Sequence, residues 1–396
     1  MDDIKRVQLG DIAELITKGT TPTTLGYDFQ DKGINFLKIE CFNENGGFIP
    51  EKVAFISDEC NEKLKRSQLK AGDILFSIAG AIGRVAIVTE EMLPANTNQA
   101  LSIIRITDEN VYLPYIKLIL TSPIVKKQFE KKKQGVAQLN LSLKDINEIV
   151  IPLPDKKKQV EYAELFEKIY NVISQRSIQL SDLDTLIKAR FVELFGDPED
   201  NPMNWEKAPL LKFIVNANNG MARRGNDEDG NIVLRLVELQ DGYIDYSEPN
   251  RILLTDKEKE RYLLRDRDFL FARVNGNPDN VGRCAVFHDI GEEVYHNDHI
   301  IRVHFDESLL NGVFASALFN SDYGKKQLKS QIKTSAGQYT VSQDGIGAIV
   351  TILPRMELQV EFEAFVKQID KSKVAIQKSL EKIQLLFDSL MQKYFG

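Results

Sequence analysis

Cysteine is scarce in this 396-residue chain: there are three, Cys41, Cys60 and Cys284. They are scattered and odd in number, with no CxxC or Cys/His ligand spacing. That excludes a disulfide framework and a structural zinc, and it fits a reduced cytoplasmic protein. Long apolar runs are also missing. No stretch of about 18 uncharged apolar residues occurs, so no membrane-spanning helix is expected. The opening MDDIKRVQLGDIAEL carries acids and no apolar segment, so it does not read as a secretory signal. Signatures of catalysis are absent as well: no Walker loop, no HExxH, and no (N/D)PPY stretch of the kind found in base-amino methyltransferases. GAIG at 80–83 and GIG at 345–347 are too short for cofactor loops, and Gly80-Ala81-Ile82-Gly83 reads as a turn. The four histidines (His288, His296, His299, His304) all fall late in the chain. They lack acidic or cysteine partners at ligand spacing, so no metal site is expected. A net charge of −7 argues against an evenly basic protein. Residues 1–154 and 201–354 are each near charge balance, however, so either can still carry a local basic face.

What the chain does have is a repeat. Residues 149–169 read IVIPLPDKKKQVEYAELFEKI and residues 349–369 read IVTILPRMELQVEFEAFVKQI. At a constant offset of 200 the identities are Ile149/Ile349, Val150/Val350, Leu153/Leu353, Pro154/Pro354, Gln159/Gln359, Val160/Val360, Glu161/Glu361 and Ile169/Ile369. The ends of the copies also rhyme, in Phe195-Gly196 and Phe395-Gly396. The chain therefore holds two copies of one unit. Upstream the match needs small gaps: DILF at 73–76 against DFLF at 268–271, IGRVAI at 82–87 against VGRCAV at 281–286, and QLNLS at 138–142 against QYTVS at 338–342. The late part of each copy agrees closely, while the early part shares only a skeleton.

Each copy ends in a long helix that starts just after a proline, Pro154 or Pro354. Ile169, Ile173, Arg176, Leu180, Leu183, Ile187, Arg190 and Leu194 form a heptad seam in the first copy. Ile369, Lys373, Ile376, Leu380, Ile383, Phe387, Leu390 and Tyr394 keep the same phase in the second. Two matching seams in one chain favour an antiparallel coiled coil. The plainer alternative is that each amphipathic helix packs only on its own domain. The early part of each copy mixes short β-branched or aromatic runs (INFLKI, DILFSI, RVAIVT, ALSIIRI) with Gly- and Asn-rich turns, followed by helix. The expected fold class is α+β. It comprises two tandem α/β domains at 1–154 and 201–354, a central long helix at 155–200, and a C-terminal long helix at 355–396.

This order of motifs resembles the DNA-specificity subunit of type I restriction–modification systems. The resemblance rests on LITKGTTP at 15–22, GDILFSIAGAIGRVAIV at 72–88, NQALSII at 98–104 and IVIPLPDKKKQV at 149–160. The second copy echoes them as LRDRDFLFARVNGNPDNVGRCAV, NDHIIRV and ILPRMELQV. It covers essentially the whole chain. Each short motif is weak alone, but their order and doubling are specific. The resemblance implies two target recognition domains, each reading half of a bipartite double-stranded DNA site, held apart by a coiled-coil spacer. It implies no catalysis in this chain, two methyltransferase (modification) subunits and restriction (endonuclease/translocase) subunits as partners, and no membrane. S-adenosylmethionine, ATP and magnesium would belong only to those partners, and no cofactor to this chain. Copy two is read as lacking the glycine and threonines of KGTTP, with NNGMARR at 218–224. Its first loop is therefore expected to make different contacts.

The physics points the same way. A helix over 160–195 would span about 54 Å, against ~34–36 Å per duplex turn, so a helical pair is long enough to hold two readers about a turn apart. Base reading needs forked donors and amides. Copy one supplies Lys18, Thr20, Thr21, Arg84, Asn96, Asn98, Gln99, Gln138 and Asn140. Copy two supplies Asn218, Asn219, Arg223, Arg224, Arg273, Asn275, Asn277, Arg283, Asn297, Gln338 and Tyr339. The clusters Lys126, Lys127, Lys131, Lys132, Lys133 and Lys325, Lys326, Lys329, Lys333 suit phosphates. Against this stand simpler roles: loop amides often serve turns, lysine runs are often just solvated faces, and the equivalent pair Arg84/Arg283 suits scaffold or phosphate. The rival function is a coiled-coil scaffold that binds only proteins, which the net acidity would fit.

Overall fold

The computed structural model describes residues 5–130, 140–335 and 337–395. The chain forms two units. One comprises residues 1–177 and 379–396, the other residues 178–378. Each unit therefore takes its globular part from one copy and long-helix segments from both.

In the first unit an antiparallel sheet runs in the order Leu15–Lys18, Leu101–Arg105, Ile74–Ser77, Val85–Ile87. Its strands are short and β-branched, and Ile74–Ser77 is buried throughout, as suits a strand covered on both faces. A second sheet pairs Ala54–Ile56 and Ala95–Thr97 with Ile34–Leu37, the last pair parallel. The second unit repeats both. Ile214–Asn219, Ile300–Phe305, Phe269–Ala272 and Cys284–Val286 form the larger sheet. Arg251–Ile252, Asn231–Leu234 and Val294–His296 form the smaller one. A three-stranded sheet of Val274–Asn275, Gln338–Thr340 and Lys333–Ser335 has no counterpart among the described residues of the first unit.

The repeat extends to buried polar groups. Asp73 accepts both arms of Arg105, at 2.7 and 2.6 Å. The equivalent Asp268 meets His304 at 3.1 Å and Arg302 at 3.6 Å. Gln159 and Gln359 are the buried pair whose identity the repeat preserves. Gln159 accepts from the Tyr112 amide at 2.8 Å and donates to the Pro154 carbonyl at 2.8 Å. Gln359 accepts from the Asn311 amide at 2.9 Å and donates to the Pro354 carbonyl at 2.8 Å. Each glutamine pins the start of a long helix to its domain, and each satisfies backbone groups that would otherwise be buried unpaired at ~1–3 kcal/mol apiece.

The long helices are Lys156–Phe195 and Met356–Phe395. Within each unit their segments run antiparallel. In the first, Tyr162 packs on Phe395 and Tyr170 on Phe387, with ring centroids 5.7 and 4.9 Å apart. In the second, Phe195 packs on Phe362 at 5.6 Å, Arg190 meets Glu361 at 2.5 Å, and Lys373 pairs with Asp184. The seam residues Ile169 and Ile369 are buried, as is Phe387. Ile173, Leu180, Leu183, Ile187, Leu194, Ile376, Leu380, Ile383 and Leu390 are half-buried. Among the deepest helix side chains, Phe166 and Phe362 continue the seam phase toward the helix starts, while Phe191, Phe195, Met391 and Phe395 sit one position off it. Phe195 also contacts Phe314, and Phe395 contacts Tyr115, both on the domain side. The coiled-coil reading holds; the alternative that each helix packs only on its own domain does not, because Phe195 and Phe395 reach the domain of the other copy. Within each unit the helix ends pack both on each other and on the domain.

Candidate nucleic-acid interface

In each unit two neighbouring strand ends place a loop and a turn side by side. In the first, strand Leu15–Lys18 leads into Gly19, Thr20 and Thr21, and the turn 97–100 leads into Leu101–Arg105. Gly19 makes this approach possible, because a Cβ there would lie 1.8 Å from the Thr97 carbonyl oxygen. Asn98 closes the turn by accepting from the Ala100 amide at 3.1 Å. Gln99 is exposed, and its Oε1 accepts from the Thr21 amide at 3.1 Å and from the Thr21 hydroxyl. Lys18 is exposed beside them and Thr20 half-buried.

The second unit uses the same backbone device. A Cβ on Gly220 would lie 2.2 Å from the His296 carbonyl oxygen. Asn297 closes the turn by accepting from the His299 amide at 3.0 Å. The glycine of KGTTP is thus retained, which corrects the alignment of NNGMARR. Gly220 answers Gly19, and only the flanking side chains differ. Ala222 stands in the place of Thr21 and Asp298 in the place of Gln99. Asp298 accepts from Arg224 at 2.6 Å, and its carbonyl accepts from Arg273 at 3.1 Å. Arg223 grips Glu258 through both arms at 3.0 and 2.9 Å. The Arg223 hydrogen bonds hold the Glu258 carboxyl down at about 2. Arg223, Arg224 and Arg235 line a shallow cleft of about 180 Å³ with Asn250 and Asn297. Each of these arginines has a carboxylate partner, Glu258, Asp298 or Glu238. The cleft therefore presents hydrogen-bond donors with little net charge.

Other candidates are placed differently. Asn96 is fully buried, donates to Asn61 at 2.9 Å and accepts from the Thr97 amide at 2.9 Å. Its amide holds two loops together and is closed to a base. Asn275 and Asn277 accept from the amides of Asn277 and Asp279, so their oxygens serve turns. Arg84 donates to the Phe42 carbonyl at 3.1 Å, while Arg283 meets Gln240 at 3.2 Å and Asp241 at 3.4 Å. At equivalent positions both brace an inner loop. Asn218 accepts from Arg302 at 2.9 Å and Asn219 from Gln343 at 3.1 Å. Gln338 and Tyr339 lie with Asn275 and Lys333 on the extra three-stranded sheet. Lys126 and Lys127 are exposed with no ion-pair partner among the described residues. Lys325, Lys326 and Lys329 pair with Asp241, Glu199 and Asp279. The two lysine helices therefore differ in free charge. Asn140 is exposed. Lys131, Lys132, Lys133 and Gln138 lie outside the described residues.

Sequence reasoning missed Arg235, Arg302, Asp298 and Glu258. Asp298 was within reach, since it follows Asn297 as Gln99 follows Asn98. The histidines each have their own surroundings, and among the described residues no group of three His, Cys, Asp or Glu could hold a metal. The three cysteines are buried and unpaired. Among the described residues no helix is long and apolar enough to cross a membrane.

A family model described as the type I restriction modification DNA specificity domain matches residues 1–181. Similarity to curated proteins runs much further. The StySPI specificity subunit of Salmonella potsdam is 24% identical over 89% of this chain and 80% of its own. The EcoKI specificity subunit of Escherichia coli K12 is 21% identical over 96% and 88%. Residues 1–181 thus match the type I specificity domain, and most of the chain is similar to type I specificity subunits. The type I specificity fold is shared too. The S subunit from M. genitalium superposes with TM-score 0.54 at 14% identity over 100% of this chain and 97% of that one. A chain of another solved type I R-M system gives 0.57 at 14% identity over 98% and 96%.

His296 makes a further difference between the two loop-and-turn sites. It is fully buried under the second turn, where the first has Thr97. Its Nδ1 lies 3.2 Å from the Tyr262 carbonyl, so Nδ1 carries the proton, and Nε2 has no partner among the described residues. Burial pushes its pKa down to about 4. A depressed histidine is neutral in the fold and binds a proton more readily unfolded. Its contribution is therefore complete above pH ~6.5 and is lost as pH falls toward 4, about 3 kcal/mol in all. Thermal unfolding of His296→Gln, compared with wild type between pH 7 and pH 4.5, should show a shallower fall for the variant. Parallel curves would contradict this assignment.

Proposed function

We propose that this chain is the sequence-reading subunit of a type I restriction–modification complex. Residues 1–154 and 201–354 would each read one half of a bipartite double-stranded site, and the two long helices would act as the spacer. The observation that carries this reading is the pair of equivalent turns. Gly19 with Asn98, and Gly220 with Asn297, keep one backbone while Thr21 and Gln99 give way to Ala222 and Asp298, with Arg224 bonded to Asp298. A constant frame with exchanged donors is what two different half-sites require. Base edges would be approached by Lys18, Thr20, Thr21 and Gln99 in one domain and by Arg223, Arg224 and Arg273 in the other. Lys126 and Lys127 would meet phosphate.

The chain itself is non-catalytic. Chemistry falls to partners: two modification subunits using S-adenosylmethionine, and restriction subunits using ATP and magnesium, in the cytoplasm. Leu186 and Leu386, equivalent in the repeat, are 45% and 51% exposed. They would give each modification subunit a like apolar contact, as pseudosymmetry requires for two copies of one partner.

Exchanging residues 205–354 for the corresponding domain of another specificity subunit should change one half-site and preserve the other. The methylated sequences of the hybrid complex read this out. Change in both halves, or in neither, would refute one domain per half-site.

A further inference from the structure

Resting on the DNA-reading function above, we propose that Gln99 reads a guanine in the major groove because Thr21 has made it a pure hydrogen-bond donor. A free glutamine is both donor and acceptor and suits adenine, accepting from N6 and donating to N7. Gln99 is not free in that sense. Its Oε1 receives the Thr21 backbone N–H at 3.1 Å and the Thr21 hydroxyl as well. A carbonyl oxygen has two lone pairs, and both are taken. The amide cannot be turned over, because the Thr21 N–H can only donate and would then face the Nε2 hydrogens. The exposed end of Gln99 is therefore Nε2, with two N–H groups and no partner among the described residues.

Two donors on one nitrogen match a base edge that presents two adjacent acceptors. Only guanine does so in the major groove, with N7 and O6. Adenine would set its own N6 donor against Nε2, cytosine presents its N4 donor, and thymine offers O4 beside a methyl group.

The lock is stiff. Thr21 precedes the short helix Pro22–Leu25, and its carbonyl accepts from the Thr24 hydroxyl at 2.6 Å. Buried Pro22 fixes the backbone on one side, and the close approach of Gly19 to Thr97 fixes it on the other. The second unit lacks the device. With Ala222 and Asp298 at the two positions, the link between loop and turn is made by Arg224. The inference thus assigns a base to the first half-site alone.

The test is selection from a random duplex library by the full chain with its modification subunits, for wild type and three variants. Wild type should select guanine at one position of one half-site that Gln99→Ala no longer specifies, with the remaining positions and the other half-site kept. Gln99→Glu, an acceptor, should move that position toward cytosine. Thr21→Val frees one lone pair and should admit adenine there. In direct binding, 7-deazaguanine at the position should weaken wild type by ~10-fold, within the range a paired base contact provides, and leave Gln99→Ala unaffected. Four results would overturn the proposal: an unchanged preference in Gln99→Ala, loss of the whole half-site, dependence on a base other than guanine, or a Thr21→Val complex that still demands guanine. A wild-type complex that selects no sequence would instead refute DNA reading itself, and this assignment with it.

Discussion

Phe195→Ala is expected to cost the second unit about 3–5 kcal/mol, the range for emptying a buried aromatic site. Phe195 has no exposed surface and touches three rings: Phe314 at 4.8 Å, Phe191 at 5.0 Å and Phe362 at 5.6 Å. One partner lies on the domain, one on the same helix and one on the other long helix. Alanine would open a cavity at the junction of all three, and fixed helices on two sides limit collapse. A loss of that size is a large share of a domain's usual 5–15 kcal/mol. The single tryptophan makes it measurable. Trp205 donates to the Phe195 carbonyl at 2.9 Å, so its fluorescence reports unfolding at this junction. The denaturant midpoint followed at Trp205 should fall steeply. A change under about 1 kcal/mol would mean the ring cage does not hold the helix to the domain. Phe395, with Tyr115, Tyr162 and Phe166 around it at 6.1, 5.7 and 5.7 Å, should behave alike in the first unit.

One heptad inserted after Arg176 and another after Ile376 should lengthen the unread gap of the DNA target by about three base pairs. Seven residues keep the phase of both seams, so the coiled coil is extended rather than broken. They add ~10.5 Å of helix, and the duplex rises 3.4 Å per base pair. Both half-sites should keep their sequences, because neither domain is touched. The methylation pattern of the extended complex measures the gap. A gap that stays constant would show that something other than these helices sets the spacing.

The repeat, the α+β class and the two long helices were legible because they rest on local patterns: heptad phase, turn residues and identities at a constant offset. Gln159 and Gln359 were visible as identities, but their purpose was not. Burial and a carbonyl partner five residues away are properties of the folded chain. The seam phase continues to Phe166 and Phe362 near the helix starts but not to the buried side chains at the helix ends. At their C-terminal ends the same helices also cover the domains, and the most buried side chains shift one position off the seam, to Phe195 and Phe395. The interface was harder still. Asn96 carries the right amide for reading a base yet is sealed inside, and Asn275 and Asn277 serve turns. Thr21 and Gln99 are 78 residues apart, and no periodicity announces their bond. Gly220 was misaligned because every neighbour that identifies Gly19 in the sequence has changed, while the backbone that needs a glycine has not. The acidic net charge pointed toward a protein scaffold. Net charge says nothing of local pairing: at the cleft Arg223, Arg224 and Arg235 each stand against a carboxylate.

The most direct measurement of the central claim is the sequence selected by the wild-type chain, in complex with its modification subunits, from random duplex DNA. Two short and different half-sites separated by a constant unread gap are the result this structure calls for. A single continuous site, two identical halves, or no enrichment from a folded complex would contradict it.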